Sequence, residues 1–337
     1  MGVTVLITGC SRHSNELVCA LKQNEDNVPV SVIATDMNPS RVLRKGTDAQ
    51  YILPPISDTS YISCLKAVSS ENGVDVIIPY ITSELELISA FKDEFLEIGT
   101  HVSVASPETL RVLNSKIELY ARYSEYMPKQ IVARTVGQAR AALAELSDMK
   151  ICCKIADGCG GAGFAVVDDS KSLDPSLFNR RCVPRYVSES DVLRIVDNAN
   201  REIMLQEYKE GTDYSVCVLA KNGVVTDMCG YFGYDMEYGA VVNGEIAKND
   251  EAYSIARHVA EAEHLDGNAC FDFIITSDGK AFLLECNPRV NASLGFVWHA
   301  GCNMPWKRCK HLLGEKTEPS EINYGLRMSK YYEAEYV

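Results

Sequence analysis

From Val3 to about Ser115, short apolar runs alternate with amphipathic stretches: VTVLI precedes NELVCALKQ, VSVIATD precedes a turn at Asn38-Pro39, VDVIIP precedes ELELISAFKDEFLEI, and HVSVAS precedes PETLRVL. This alternation predicts βαβ units, a parallel sheet with helices on both faces. Ser106-Pro107 predicts a helix start, the serine capping free amides and the proline taking the first helical position. The texture changes after Met127-Pro128. A helix from about Thr135 to Leu146 leads into KICCKIA, a glycine-rich turn and FAVVDD; a basic stretch with Arg180, Arg181 and Arg185, a helix near Ser188 to Asn200 and the strand IMLQEY follow. Residues 128–208 therefore read as a small α+β unit with an antiparallel sheet. Beyond them YSVCVLA, CFDFIIT and KAFLLEC alternate with two helical patterns, and the chain runs out through YGLRMSKYYEAEY.

At 337 residues, 46% hydrophobic and 23% charged, the chain suits two or three compact units. Val3 to Ile7 is too short for a secretory leader, and no apolar run approaches the roughly 20 residues a membrane helix needs, so a cytoplasmic protein without a membrane partner is expected. The thirteen cysteines include no CxxC pair, which points to reduced, buried thiols and away from zinc or dithiol chemistry. A formal charge of -13 opposes nucleic-acid binding, so a nucleotide would need locally placed lysines.

The strongest chemical signal is a hairpin. CFDFIIT and KAFLLEC flank Ser277-Asp278-Gly279-Lys280, and Asp-Gly predicts a two-residue type I′ turn. If Ser277 faces Lys280, the ladder sets Asp272 opposite Glu285, and Asn287 shares the face of Glu285. Two carboxylates inside apolar runs repel one another and lose hydration unless a hard divalent cation neutralises them. A carboxylate pair sharing a proton, or bridged by an arginine, would also account for the pattern. Arg289 follows directly and could stabilise charge on a transferring phosphoryl group, or form an ion pair with Asp272 or Glu285.

Lys154 to Phe164 reads K-I-A-D-G-C-G-G-A-G-F. Gly158, Gly160 and Gly163 match G-x-G-x-x-G, yet FAVVDD after them is strand-like, so the run predicts a glycine-rich hairpin and no dinucleotide fingerprint. Thr8-Gly9-Cys10-Ser11, with one glycine, is likewise unsuited to NAD despite Asp36 closing the second strand. A hairpin of this kind could lay backbone amides over phosphates, with Lys154 at its base, or be a tight turn without a ligand. The segment Leu205 to Val216 says only that two strands meet at a polar turn.

In this order the parts resemble the ATP-grasp superfamily, especially carbamoyl-phosphate synthetase large-chain domains, biotin carboxylase and amino-acid ligases. The resemblance rests on GVDVIIP (Gly73 to Pro79), Ser83 to Leu85, Asn114-Ser115-Lys116, the glycine loop and the Asp272, Glu285, Asn287, Arg289 set. It implies an α/β chain: a Rossmann-like preATP-grasp domain over 1–115, then a two-part α+β ATP-grasp domain with a lid over 116–208 and a metal-bearing subdomain over 209–337. It further implies that Lys116, Lys154 and the loop containing Gly158, Gly160, Gly161 and Gly163 contact ATP phosphates. Gln206, Glu207 and Tyr208 would receive adenine and Asp213 the ribose, while Asp272, Glu285 and Asn287 hold magnesium or manganese, two ions in all. Arg289 and Lys154 would be the catalytic cations. Val290-Asn291-Ala292-Ser293 lacks the glutamate and histidine that end the biotin carboxylase motif.

The resulting expectation is an ATP-dependent carboxylate-amine ligase working through an acyl phosphate and releasing ADP and phosphate. Its partners would be a small carboxylate and a small amine, with a homodimer allowed. A carbamate-activating or other phosphorylating member, and a regulatory nucleotide-binding protein without turnover, are the alternatives. Tyr231, Tyr234, Asp235, Tyr238 and His299 are candidate acceptor-side residues.

Overall fold

The computed structural model describes residues 2–10, 14–39, 46–156, 163–170, 186–199, 201–237 and 239–331. The chain divides into two compact units: residues 1–114, 213–272 and 285–337 form one, and 115–212 with 273–284 the other.

The first unit opens with a five-stranded sheet. Its strands are β1 (Val3–Thr8), β2 (Val30–Asp36), β3 (Ala49–Ile52), β4 (Val76–Pro79) and β5 (His101–Val102), in the order β3-β2-β1-β4-β5. All four pairings are parallel, as the alternating pattern requires. Val5, Leu6, Ile7, Val32, Val76 and Ile77 are fully shut from solvent, because a sheet covered on both faces buries both sets of alternating side chains. The strand order reverses between β1 and β4, whose carboxyl ends carry Thr8 and, just past Pro79, a 3₁₀ turn at Thr82–Glu84. The helix Pro107–Leu113 begins as predicted, Ser106 accepting a bond from the Thr109 amide.

The second unit holds β6 (Gln130–Ala133), β7 (Ile151–Ile155), β8 (Ala165–Val167), β9 (Tyr186–Val187) and β10 (Ile203–Glu207), ordered β6-β10-β7-β8-β9. It is antiparallel except where β8 meets β9. Helices Val136–Glu145 and Glu189–Asn198 pack on it, capped by Thr135 and by a capping box at Ser188 and Asp191. Arg180, Arg181 and Arg185 lie outside the described residues.

The chain then builds a six-stranded sheet from β11 (Thr212–Lys221), β12 (Val224–Glu237), β13 (Ala240–Ile246), β14 (Gly267–Ile275), β15 (Ala281–Asn287) and β16 (Arg327–Ser329), ordered β15-β14-β11-β12-β13-β16. Helices Asp250–Ala262, Leu294–His299 and Met304–Leu312 accompany it. Within the first unit, Met304–Leu312 is fastened to the N-terminal region by polar bonds: Trp306 Nε1 and Lys310 Nζ donate to Asp26, and Asn303 Nδ2 to the Ala20 carbonyl. Arg308, 1% exposed, makes two 2.9 Å bonds to Asp266.

Candidate functional site

The β14–β15 turn differs from the predicted two-residue form. The Gly279 amide donates to the Thr276 carbonyl and the Thr276 amide to the Lys280 carbonyl, which closes a three-residue loop. Only Gly279 takes a positive φ, +87°, whereas a type I′ turn needs two such residues. The Thr276 hydroxyl bonds Asp278 Oδ1 and holds it in the ordinary right-handed turn, with Gly279 as a bulge.

Extended strictly from Thr276 and Lys280, that ladder would set Asp272 opposite Leu284 and turn Glu285 to the other face. Burial along β15 shows a correction. Ala281 and Leu283 are buried, then Leu284 and Glu285 are both half-exposed, then Cys286 is buried. The alternation slips by one residue, which returns Glu285 and Asn287 to the face of Asp272.

Asn287 Nδ2 accordingly donates to Asp272 Oδ2 at 3.1 Å and Glu285 Oε1 at 3.2 Å. Burial, then the Glu285 carboxylate, push the Asp272 carboxyl up to about 7; the Ser215 hydroxyl, 2.6 Å from Asp272 Oδ1, opposes the rise, and the charge of Asp213 adds to it. Ser215 has no signature in the sequence, since β11 reaches β14 only through tertiary pairing. It lies two residues from Asp213 along β11, on the same face.

These groups suit a hard cation. Two carboxylates converge where a positive charge would lower the energy of the ionised pair, and the amide that bridges them presents its carbonyl oxygen when rotated by half a turn. Among the described residues, no three His, Cys, Asp or Glu side chains converge on a metal position, so a site here consists of two carboxylates and one amide.

Arg289 makes no ion pair with either carboxylate among its described contacts. Its Nε donates to Thr82 Oγ1 at 3.1 Å, its terminal nitrogens to the Val290 carbonyl at 2.9 Å and to Asn287 Oδ1 at 3.5 Å. Asn291 Nδ2 bonds the Tyr231 hydroxyl at 2.7 Å and Cys270 Sγ at 3.1 Å, so Tyr231 is built into the floor behind Asp272. Tyr234 lies exposed, Asp235 accepts from Asn243, and the His299 ring lies 4.5 Å from that of Trp298, tilted by 35°. Tyr238 lies outside the described residues.

In the other unit, Lys154 on β7 is 5.9 Å from the Phe164 ring, Phe164 is 6.3 Å from Tyr208, and Lys150 stands 4.8 Å over Tyr208. Two aromatic rings flanked by two lysines make a surface on which a planar base with a charged tail could stack. Lys150 was not singled out from the sequence. Gly163 has φ +74°, and a Cβ there would lie 2.5 Å from the Ile155 side chain, so glycine is required. Gly158, Gly160 and Gly161 lie outside the described residues.

Gln206 is 2% exposed and its amide is committed to Gln130, whose own Nε2 reaches the Lys116 carbonyl. This chain of amides ties the end of β10 to the start of the helix Lys116–Tyr123. Glu207 pairs with Lys209.

Residues 5–103 match the PylC-like N-terminal domain family, and residues 199–334 the family described as ATP-grasp in the biosynthetic pathway with Ter operon. No curated protein matches the sequence. Among solved structures, an N5-carboxyaminoimidazole ribonucleotide synthetase in its ADP complex superposes with TM-score 0.70 at 15% identity, covering 97% of this chain and 80% of that one. The biotin carboxylase domain of Hydrogenobacter thermophilus 2-oxoglutarate carboxylase, crystallised with MgADP, ADP and bicarbonate, gives 0.69 at 15% identity, with 96% and 72% covered. An L-amino acid ligase from Bacillus licheniformis gives 0.62 at 11% identity, with 92% and 74% covered. No helix among the described residues is long and apolar enough to cross a membrane. The chain thus carries a match to the PylC-like N-terminal domain family followed by a match to an ATP-grasp family, on a fold shared with these solved structures.

Proposed function

We propose that the protein is an ATP- and magnesium-dependent ligase that joins a small carboxylate to an amine through an acyl phosphate. The observation that carries this reading is the convergence of Asp272 and Glu285 on one face of the six-stranded sheet, with Arg289 two residues beyond Asn287. Asp272, Glu285 and Asn287 would hold magnesium, which when bound screens the nucleotide phosphates and draws electron density from the transferring group. In this reading residues 1–115, 116–208 and 209–337 act as N-terminal domain, lid and metal-bearing subdomain. Lys116, Lys154 and the loop at 158–163 would neutralise phosphate charge, Glu207 and Tyr208 would receive adenine beside the buried Gln206, and Asp213 would meet the ribose.

The chemistry divides into two displacements. A carboxylate oxygen of the substrate attacks the γ-phosphorus, breaking its bond to ADP and forming the acyl phosphate. The amine then attacks the acyl carbon, loses a proton, and expels phosphate as the amide forms. Arg289 would spread the negative charge that moves onto the phosphoryl oxygens in both steps.

The test follows one oxygen atom. With an 18O-labelled carboxylate substrate, released phosphate should carry one labelled oxygen per product formed, with ADP as the nucleotide product. Unlabelled phosphate, or AMP with pyrophosphate, would reject the mechanism.

The cation also predicts a pH effect on stability. Asp272, pushed up to about 7, must shed its proton to serve as a ligand, so magnesium binding competes with protonation. The rise in melting temperature produced by 5 mM-range magnesium, ~2 °C or less at pH 6, should grow severalfold by pH 8. A magnesium effect that is flat with pH in thermal-shift measurements would remove Asp272 from the ligand set.

A further inference from the structure

The 3₁₀ turn at Thr82–Glu84 is anchored at one end and holds a guanidinium at the other. At its inner end Glu84, 5% exposed, accepts a 2.5 Å bond from the Thr8 hydroxyl, which is itself fully buried at the carboxyl end of β1. The buried Tyr61 hydroxyl lies beside the same carboxyl, and burial raises that carboxyl to about 7. Glu84 acts here as an acceptor for the Thr8 hydroxyl, a role a glutamine carbonyl oxygen keeps, so an amide is its conservative replacement. At the outer end Thr82 Oγ1 accepts from Arg289 Nε at 3.1 Å, across 207 residues of chain.

We propose that Thr82 is a positioning residue for Arg289, and that the Thr8–Glu84 bond fixes Thr82 by pinning its turn to the N-terminal sheet. The inference rests on the reading that Arg289 meets the transferring phosphoryl group. A guanidinium has five N–H donors in one plane, and holding Nε on Thr82 while the terminal nitrogens meet Val290 and Asn287 sets the direction of that plane. Without Thr82 the side chain keeps its charge and its bonds to Val290 and Asn287 but gains a rotational freedom it now lacks. The N-terminal domain would thus direct a cation that belongs to the ATP-grasp segment.

Thr82→Val keeps the shape and removes the acceptor. The arginine Nε–Hε NMR signal that disappears in Arg289→Lys identifies Arg289, and in the intact protein it should exchange slowly with water. In Thr82→Val that signal should exchange at least about tenfold faster. The kcat for MgATP turnover with the productive substrate pair should fall roughly 10- to 100-fold while KM for ATP stays within about twofold, the signature of lost orientation without lost nucleotide binding. Thr82→Ser and Glu84→Gln should both remain close to the parent protein. Unchanged exchange in Thr82→Val, or faster exchange with parental kcat, overturns the inference. Failure of the underlying reading looks different: Arg289→Lys itself would then turn over at the parental rate.

Discussion

Asp272→Asn is expected to divide function from stability. Turnover of MgATP should fall more than about 100-fold, and Glu285→Gln should do the same, because either change leaves a divalent cation with one carboxylate in place of two. The fold should respond in the opposite sense. A carboxyl raised from 3.8 to about 7 in the folded state contributes its full stability below about pH 3.8 and loses it progressively as the pH rises from there through 7. At pH 8 without metal the parent protein therefore carries an ionised Asp272 against Glu285, and the amide variant does not. Asp272→Asn should melt a few degrees higher than the parent in EDTA at pH 8, and level with it near pH 4. A lower melting point at pH 8 would mean that the protein alone satisfies this carboxylate, and the case for a cation would fail.

The second large effect is structural. Lys307 and Asp227 form a 2.8 Å pair with side chains 8% and 1% exposed; Lys307 also donates to the Glu318 carbonyl and Ser320 Oγ, and the Ser320 amide donates to Asp227. Lys307→Met leaves an ionised carboxylate in the interior with only the Ser320 amide, which should cost about 3–5 kcal/mol in urea-denaturation measurements. Converting the pair together, Lys307→Met with Asp227→Leu, should recover most of the loss because no buried charge is left over. A single variant within 1 kcal/mol of the parent (~1 being the ordinary effect of a point change) would show that water reaches this pair.

How far the sequence led depended on how local each determinant is. The parallel sheet was legible because apolar runs and amphipathic helices recur at short intervals, and the cap at Ser106 was legible because a cap bonds an amide three residues on. Asp272, Glu285 and Asn287 could be grouped because one hairpin carries all three. Ser215 and Thr82 could not: Ser215 lies 57 residues from Asp272, and Thr82 lies 207 from Arg289. Nothing in spacing encodes a contact made by packing one sheet element beside another. The turn was misread for a related reason, since Asp-Gly favours type I′ only when no side chain intervenes, and here Thr276 holds Asp278.

That turn also constrains which insertions and deletions the hairpin can survive. Its third loop residue and the slip at Leu284–Glu285 are offsetting odd steps in a pattern of period two, so the carboxylate pair faces one way because two irregularities cancel. Losing one residue at either place alone reverses the parity of the strand beyond it, sending Glu285 and Asn287 to the opposite face from Asp272. Losing one at both restores the pairing with a shorter, regular ladder. Length variation in this hairpin is therefore tolerated in even steps, and a homologue with a true two-residue Asp-Gly turn should have an unbroken strand up to the positions of Glu285 and Asn287.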